Sequence, residues 1–193
     1  MVELVPPEPP LTDGVVVLRP PTLGDADAYL AVRSERDIRH WMGWDDDRRP
    51  SHDDIVATIE RGLDAWREGS WGVFVIVDAR DGRVVGGANV RLGDYQTAEV
   101  SYYVAAAARG RGLATRTVLL LARWAFDELG IQRLELRAHP DNEPSIRVAE
   151  RAGFMREGVE RASRAWPDGT RFDSVLFSLL PKDMGVVALP PRA

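Results

Sequence analysis

The stretch Thr97-Ala-Glu-Val-Ser-Tyr-Tyr-Val104, followed by four alanines, by Arg109-Gly-Arg-Gly112 and by the apolar segment Leu113 to Leu129, decides the fold. Its first part alternates and predicts a strand with one core face (Ala98, Val100, Tyr102, Val104) and one polar face (Glu99, Ser101, Tyr103). Its last part is rich in Leu and Ala, is apolar around most of its girth and ends at Gly130, which predicts a central buried helix.

The loop between this strand and this helix has the chemistry of an anion site. Gly110 and Gly112 let the backbone bend sharply, so that consecutive amides converge where the helix N-terminus adds partial positive charge. Arg109 and Arg111 add forked donors, and Thr115 adds a hydroxyl in the first turn. The alternative is a tight turn with solvated arginines. The nucleotide loops fit less well, since no Lys follows Gly112 and Thr115 stands where the dinucleotide fingerprint needs Gly or Ala.

Elsewhere the chain alternates between strand and helix patterns, which predicts a mixed α/β sheet. Helices are predicted from about Asp25 to Glu35, from a Ser51/Asp54 capping box, and from an Asn142 cap to Gly153, in addition to the central one. The remaining strands are predicted at Val15–Arg19, Trp71–Asp78, Val84–Leu92, Arg133–Ala138 and Phe172–Leu179, with an Asp81-Gly82 hairpin turn between the second and third of them.

Composition limits the partners. A chain of 193 residues with 45% hydrophobic residues can bury one sizeable core. A net charge of -5 argues against nucleic acid, and the absence of Cys excludes disulfides and a cysteine nucleophile. The start MVELVPPEPPLTDG carries no signal pattern and no stretch is apolar enough to span a membrane, which predicts a cytoplasmic protein without a membrane partner.

Two motifs carry a family resemblance. Arg109-Gly-Arg-Gly-Leu-Ala114 matches R/Q-x-x-G-x-G/A, and Asn142-Glu-Pro-Ser145 with the later Gly153-Phe154 looks like N-x-x-S…GF. Both resemble the Gcn5-related N-acetyltransferase (GNAT) family, and the resemblance extends from about Val15 to Leu180. An LRP-like first strand, AEVSYYV, HPDNEPS and a late DSVLFSLL look like its RimJ/RimL-type branch, which acetylates ribosomal-protein N-termini.

The resemblance implies a fold and a cofactor site. It implies a central, mostly antiparallel mixed sheet of six to seven strands, splayed at the cofactor site and flanked by about four helices. It implies that the loop binds the pyrophosphate of acetyl-CoA, or of another short acyl-CoA, without a metal. The implied cofactor contacts are the backbone of Tyr102, Tyr103 and Val104, the loop residues Arg109, Gly110, Arg111, Gly112, Leu113, Ala114 and Thr115, and the side chains of Asn142 and Ser145.

Glu99 and Ser145 are the candidate catalytic residues. The resemblance places the Ser145 hydroxyl near the cofactor sulfur, where it could stabilise the departing thiolate, although a locally satisfied helix serine is the alternative. It makes Glu99 the carboxylate that takes the amine's proton, against the alternative of a salt-bridged strand residue, with Tyr103 as the runner-up. His40 and His139 are interpreted as structural.

The substrate side is predicted around Trp41, Trp44 and Glu99. The resemblance places the segment Arg39 to Asp47 over the acceptor groove, where aromatic walls and the carboxylates of Asp45 to Asp47 would attract a cationic amine. The alternative is a core tryptophan followed by a solvated acidic loop.

The sequence therefore predicts a GNAT domain over residues 14–181, between an extended arm (1–13) and a C-terminal tail (182–193). The predicted reaction is direct acetyl transfer from acetyl-CoA to a primary amine, favouring a protein N-terminal α-amine. Succinyl transfer, a small-molecule amine or aminosugar acceptor, and an inactive CoA-binding sensor stay open as alternatives. A homodimer is plausible by resemblance.

Overall fold

A computed structural model of the chain describes residues 4–44 and 48–184. The acidic segment Asp45 to Asp47 lies outside the described residues, so its predicted role at the acceptor groove does too. The strands form one eight-stranded sheet in the order β1-β2-β3-β4-β5-β6-β8-β7. Their bounds are β1 Leu11–Thr12, β2 Val16–Arg19, β3 Trp71–Asp78, β4 Val84–Leu92, β5 Thr97–Val104, β6 Arg133–Ala138, β7 Met155–Ala165 and β8 Arg171–Leu179.

Five α-helices flank this sheet in two layers: α1 Ala26–Arg33, α2 Arg36–Trp41, α3 His52–Glu68, α4 Leu113–Asp127 and α5 Glu143–Arg151. The larger core lies between α4, α5 and one face of the sheet, and Val118, Leu121 and Ala125 of α4 are fully buried in it. The second core lies on the other face, where α1 and α3 cover β3 and β5. α3 begins at the predicted Ser51/Asp54 capping box.

The sheet opens between β5 and β6, its one parallel neighbour pair among the described strands. Only three residue pairs align there, Thr97 with Arg133, Ala98 with Leu134, and Glu99 with Glu135. Beyond them β5 continues to Val104 and β6 to Ala138 without pairing. The predicted mixed, mostly antiparallel sheet splayed at this point is confirmed.

Three elements were not in the sequence-based assignment. The sheet has eight strands rather than six or seven because β1 and the long edge strand β7 join it. The predicted helix from Asp25 to Glu35 ends at Arg33, and the chain then forms α2, which makes five α-helices rather than four. Within the predicted N-terminal arm, Leu4 is buried in the main core at 2% exposure.

Candidate active site

The gap between β5 and β6 is the structural centre of the site. It is closed at one end by the short ladder that ends at Glu99 and Glu135, and β5 leads at the other end to the glycine loop and α4. On its far side β5 keeps its hydrogen bonds to β4, with Tyr102 opposite Ala88 and Val104 opposite Gly86. The side of β5 that faces the gap therefore offers backbone groups to an extended ligand, which would bind as an added strand does.

The glycine loop leaves the start of α4 open. Gly110 and Gly112 both have a φ of 75°, in the left-handed region that favours glycine, and an added Cβ at either would meet nothing within 4 Å. Gly112 is the N-cap of α4, and no side chain caps that helix. The first amides of α4 and its partial positive charge are thus available to an anion, which fits the pyrophosphate of an acyl-CoA.

The residues that follow Gly112 differ in how far their side chains are buried beside this site. Leu113 is 2% exposed and anchors the first turn of α4 in the core, so that only its backbone can reach a cofactor. Ala114 packs partly buried against the same core, and Thr115 is half-buried in the first turn.

Both loop arginines bind carboxylates of the protein. Nη2 of Arg111 lies 2.6 Å from Oδ2 of Asp78, which is 1% exposed at the end of β3 and also binds Arg80. These guanidiniums hold the pKa of the Asp78 carboxyl far below its usual value, the hydrogen bond from Arg80 being the largest favourable contribution. Sequence reasoning missed Asp78, because nothing in a strand-end aspartate indicates a partner so distant in the chain.

Arg109 turns back towards β5 and α2. Its Nε donates to the carbonyl oxygen of Val104 at 3.1 Å, and its Nη1 lies 3.2 Å from Oδ2 of Asp37. Nη2 lies 3.7 Å from Oε2 of Glu35, which also accepts from the amide of Ala106. The loop is therefore tied to the start of α2, on the acceptor side of the sheet.

The sequence predicts Tyr103 on the polar face of β5, whereas its side chain is buried in the structure. Its side chain is 6% exposed, and its ring packs against Tyr29 at 6.4 Å and Trp44 at 5.2 Å between centroids. Burial raises the pKa of its phenol well above the usual value. The ring lies over Gly87, where an added Cβ would come within 2.4 Å of the phenol oxygen. The Tyr103 side chain thus belongs to the second core, which leaves its backbone for the gap.

Asn142 and Ser145 lie together at the start of α5. The side-chain oxygen of Asn142 accepts from the amide of Ser145 at 3.2 Å, so that Asn142 caps the helix and keeps its amide NH₂ for another partner. The Ser145 hydroxyl lies 3.1 Å from the hydroxyl of Tyr102 on β5. Since α5 follows β6, this hydrogen bond spans the two sides of the gap.

Glu99 lies where the gap closes, with both carboxylate oxygens engaged. Oε2 accepts from Nη1 of Arg137 at 3.0 Å, and Oε1 accepts from Nη2 of Arg164. Arg137 also binds Glu135 at 2.9 Å and Glu160 at 2.7 Å. Each oxygen of Glu99 thus accepts one charge-assisted bond within a cluster of charged side chains.

The two tryptophans of the predicted acceptor wall lie in different surroundings. Trp41, at the end of α2, is 37% exposed and its ring centroid is 5.5 Å from that of His139, which follows β6. His40 stacks on Trp166 from the β7–β8 hairpin at 5.0 Å. These four rings form a bridge from α2 to the β6 side of the gap, here called the aromatic bridge. The structure thus joins both histidines and Trp166 to Trp41, whereas sequence reasoning interpreted the histidines as structural and did not name Trp166.

Trp44 lies away from this bridge. Its ring packs against Tyr103, and the Arg33 guanidinium lies 3.6 Å from the ring centroid. Trp41 and Trp44 therefore do not form one wall, and a substrate-binding role of each stays a prediction.

Within residues 4–44 and 48–184, no group of three or more His, Cys, Asp or Glu side chains could hold a metal ion. No helix there is both long and apolar enough to cross a bilayer.

A sheet splayed beside an uncapped helix terminus, with a backbone-lined gap between, is the cofactor side of an acetyltransferase fold. The chain belongs to the GNAT family: the Acetyltransferase (GNAT) domain matches residues 16–155, more than half of its length.

Individual relatives agree with this assignment. "Probable N-acetyltransferase YjcK" of Bacillus subtilis (strain 168) is 34% identical over 109 residues, 55% of this chain and 59% of that protein. "Putative ribosomal N-acetyltransferase YdaF" of the same organism is 36% identical over 86 residues, 45% of this chain and 46% of that protein. The chain thus spans about half the length of these two relatives.

A solved structure covers more. RimJ of Mycobacterium smegmatis in complex with CoA-disulfide has a TM-score of 0.82 and 27% identity, over 95% of this chain and 93% of that one. The resemblance to the RimJ/RimL-type branch is thereby confirmed.

Proposed function

We propose that this protein is an acyl-CoA-dependent N-acetyltransferase that moves an acetyl group from acetyl-CoA to a primary amine by direct attack in a ternary complex. The observation that carries the proposal is the gap between β5 and β6, which runs from the uncapped start of α4 to the carboxylate of Glu99. The start of α4 would bind the pyrophosphate, and the free side of β5 the pantetheine arm. The thioester would then meet an amine arriving from the opposite face of the sheet.

The cofactor contacts in this proposal are mainly those of the backbone. The loop from Gly110 to Ala114 supplies amides, Thr115 a hydroxyl, and Tyr102 to Val104 the strand edge. Arg109 and Arg111 act first by fixing the loop through Asp37 and Asp78. The NH₂ group of Asn142 would bind the pantetheine arm from the other side of the gap.

We propose a protein N-terminal α-amine as the acceptor. A Lys amine has a reference pKa near 10.4 and needs a strong base, whereas an α-amine near 8 is partly neutral without one. Since Arg137 and Arg164 occupy both oxygens of Glu99, the site suits the less basic amine. The name of YdaF, a putative ribosomal N-acetyltransferase, fits a protein acceptor.

Glu99 then serves as an anion that attracts the ammonium rather than as its base. The surrounding cluster, with Arg133 and Glu157, contains four carboxylates and three guanidiniums, so that it keeps one net negative charge. Such a charge raises the local concentration of a cationic acceptor. The aromatic bridge, with Trp41 partly exposed, provides ring faces for the same cation.

The test compares donors and acceptors in one assay. CoA release is measured with acetyl-CoA or succinyl-CoA and three acceptors: a peptide with a free α-amine, the same peptide N-terminally blocked with one Lys, and an aminosugar. Turnover of the free α-amine peptide with acetyl-CoA supports the proposal. Turnover limited to the Lys peptide or the aminosugar contradicts the acceptor, and absence of acetyl-CoA binding in calorimetry contradicts the function.

One observation favours a second function, a CoA-binding protein without turnover. Glu99 accepts from Arg137 of β6 and Arg164 of β7, and a carboxylate bound in this way can serve to hold these strands against β5 rather than to move a proton. Tight acetyl-CoA binding with no CoA release from any acceptor in the panel would support this alternative. A homodimer stays a prediction, which sedimentation of the purified protein tests.

A further inference from the structure

The hydroxyl groups of Tyr102 and Ser145 lie opposite each other, one from each side of the gap. They are 3.1 Å apart, one on β5 and the other in the first turn of α5, so that their hydrogen bond joins the two sides of the gap. Tyr102 lies on the α5 side of β5, against the main core, whereas Glu99 lies on the opposite face.

The closed end of the gap fixes how far a thioester can reach. The ladder between β5 and β6 is intact at Glu99 and Glu135, so an arm that enters from the start of α4 and lies along β5 must stop before that pair. Tyr102 follows Glu99 on the open side of the ladder. The hydroxyl pair is therefore beside the position of the sulfur, a placement that rests on the function proposed above.

We infer that Tyr102 is a positioning residue: its phenol donates to Ser145 and so holds the Ser145 hydroxyl in the orientation that donates to the sulfur of the departing CoA thiolate. A serine hydroxyl rotates freely unless a partner fixes it. Either hydroxyl can donate in this pair. When Tyr102 donates, the Ser145 oxygen is the acceptor, and the Ser145 proton is left for a partner in the gap. Donors oriented before the reaction stabilise developing charge without a reorganisation cost.

Atoms and charges balance in this step. The acceptor nitrogen forms a bond to the acetyl carbonyl carbon, the carbon–sulfur bond breaks, and its electron pair leaves on the sulfur. The proton given up by the nitrogen neutralises the thiolate after transfer. Neither hydroxyl is consumed, since each only donates a hydrogen bond.

The surroundings of Tyr102 suit a donor that never ionises. Burial raises the pKa of its phenol to about 12, although the hydrogen bond to Ser145 acts in the opposite direction. The phenol therefore keeps its proton across the neutral and mildly alkaline range, so that it remains able to donate to Ser145.

A spectroscopic test reads the hydroxyl pair without any acceptor. The protein has no Cys, so the thiol of bound CoA is the one thiol in the complex, and its ionisation is followed by thiolate absorbance. The complex with S-methyl-CoA provides the baseline that removes tyrosine ionisation. We expect the pKa of the bound thiol in the wild-type protein to lie below that of free CoA titrated in the same buffer. Tyr102→Phe and Ser145→Ala should each make it about tenfold less acidic, the size of one lost hydrogen bond to a charge.

The matched control is Tyr95→Phe, the same change at a side chain that is 96% exposed, which should leave the thiol titration as in the wild type. In the Ser145→Ala protein, adding Tyr102→Phe should change nothing further, because Tyr102 acts through Ser145. If Tyr102→Phe folds poorly, the thiol pKa is still measured in Ser145→Ala. An unchanged thiol pKa in Ser145→Ala overturns the inference.

Steady-state kinetics give the second measurement. Tyr102→Phe should lower kcat about tenfold and change the KM for acetyl-CoA less than threefold. Equal thiol pKa values in wild type and Tyr102→Phe would overturn the inference and leave the proposed function standing. Failure of CoA to bind at all would instead contradict the proposed function.

Discussion

Nη2 of Arg111 and Oδ2 of Asp78 are 2.6 Å apart and join the glycine loop to the end of β3. The carboxylate is 1% exposed, so it is desolvated and depends on its guanidinium partners. The sequence predicts that Arg111 donates to the cofactor's pyrophosphate, with a solvated arginine in a tight turn as the alternative. Its bond to Asp78 makes it a link between the loop and the sheet, and binding measurements test whether it acts in this way.

Asp78→Asn should weaken acetyl-CoA binding about tenfold, since it removes a charge-assisted bond that fixes the loop. Isothermal titration measures the change. Asp81→Asn is the control, because Asp81 pairs with Arg83 at 3.7 Å in the exposed β3–β4 turn. Tighter binding by Asp78→Asn would show that a released Arg111 reaches the phosphates and would contradict the positioning role.

Arg109→Ala should raise the KM for acetyl-CoA roughly fivefold and change kcat less, because the loop loses its bonds to Val104 and Asp37 while the reacting groups remain. Arg83→Ala, which removes an exposed guanidinium that pairs with Asp81 rather than with Val104 or Asp37, serves as the control. A loss confined to kcat would instead place Arg109 at the chemical step.

Glu99→Gln should lower kcat about tenfold and leave the midpoint of the pH–rate profile in place, because an anion that attracts the acceptor is lost while the amine still titrates by itself. Rates across the neutral to alkaline range measure this. Disappearance of the acidic limb in Glu99→Gln would restore Glu99 as the base.

Leu4→Ala should lower the free energy of unfolding by about 2–5 kcal/mol, since a side chain at 2% exposure in the main core leaves a cavity. Val5→Ala, at a neighbour that is 53% exposed, should cost far less in the same urea titration. Equal stabilities of the two variants would show that the N-terminal segment does not contribute to the core in solution.

Glu157 should make the protein sensitive to acid. Its hydrogen bonds from Arg133 and Ser178 lower the pKa of its carboxyl to about 2. As the pH falls from about 5, the Glu157 carboxylate therefore binds a proton in the unfolded chain before it does so in the folded protein. The stability that Glu157 contributes at higher pH is lost towards pH 2. Glu157→Gln should flatten this slope in unfolding measured between those values. An unchanged slope would mean that Arg133 has no such effect.

Sequence patterns predicted the elements that bury one apolar face. β5, α4 and the capping box at Ser51 were found because burial imposes a period on their apolar residues. β7 was missed because it is an edge strand exposed along nearly all of its length, so that its sequence, MREGVERASRA, has no apolar alternation. Its charged side chains pair instead with β5 and β6, through Arg164 to Glu99 and Glu160 to Arg137.

The candidate site divides in the same way. Its backbone parts, the loop from Gly110 to Gly112 and the strand beside it, could be predicted because glycine spacing and alternation report backbone geometry directly. Its side-chain partners could not, since Asp78 and Arg164 are distant in the chain from the residues they bind. The charged side chains around Glu99 come together because of the order of the strands in the sheet. No local sequence pattern predicts that order.

The ladder between β5 and β6 has three residue pairs, and the binding groove lies where the two strands continue without hydrogen bonds to each other. A groove of this kind is set by where two strands part rather than by which side chains they carry. Substitutions along β5 away from Glu99 and Tyr102 should therefore be tolerated when they keep its register, whereas inserting or deleting one residue in it would exchange its faces and move the parting point. Chain length between the ladder and the glycine loop is then a quantity that the groove requires in addition to those two side chains.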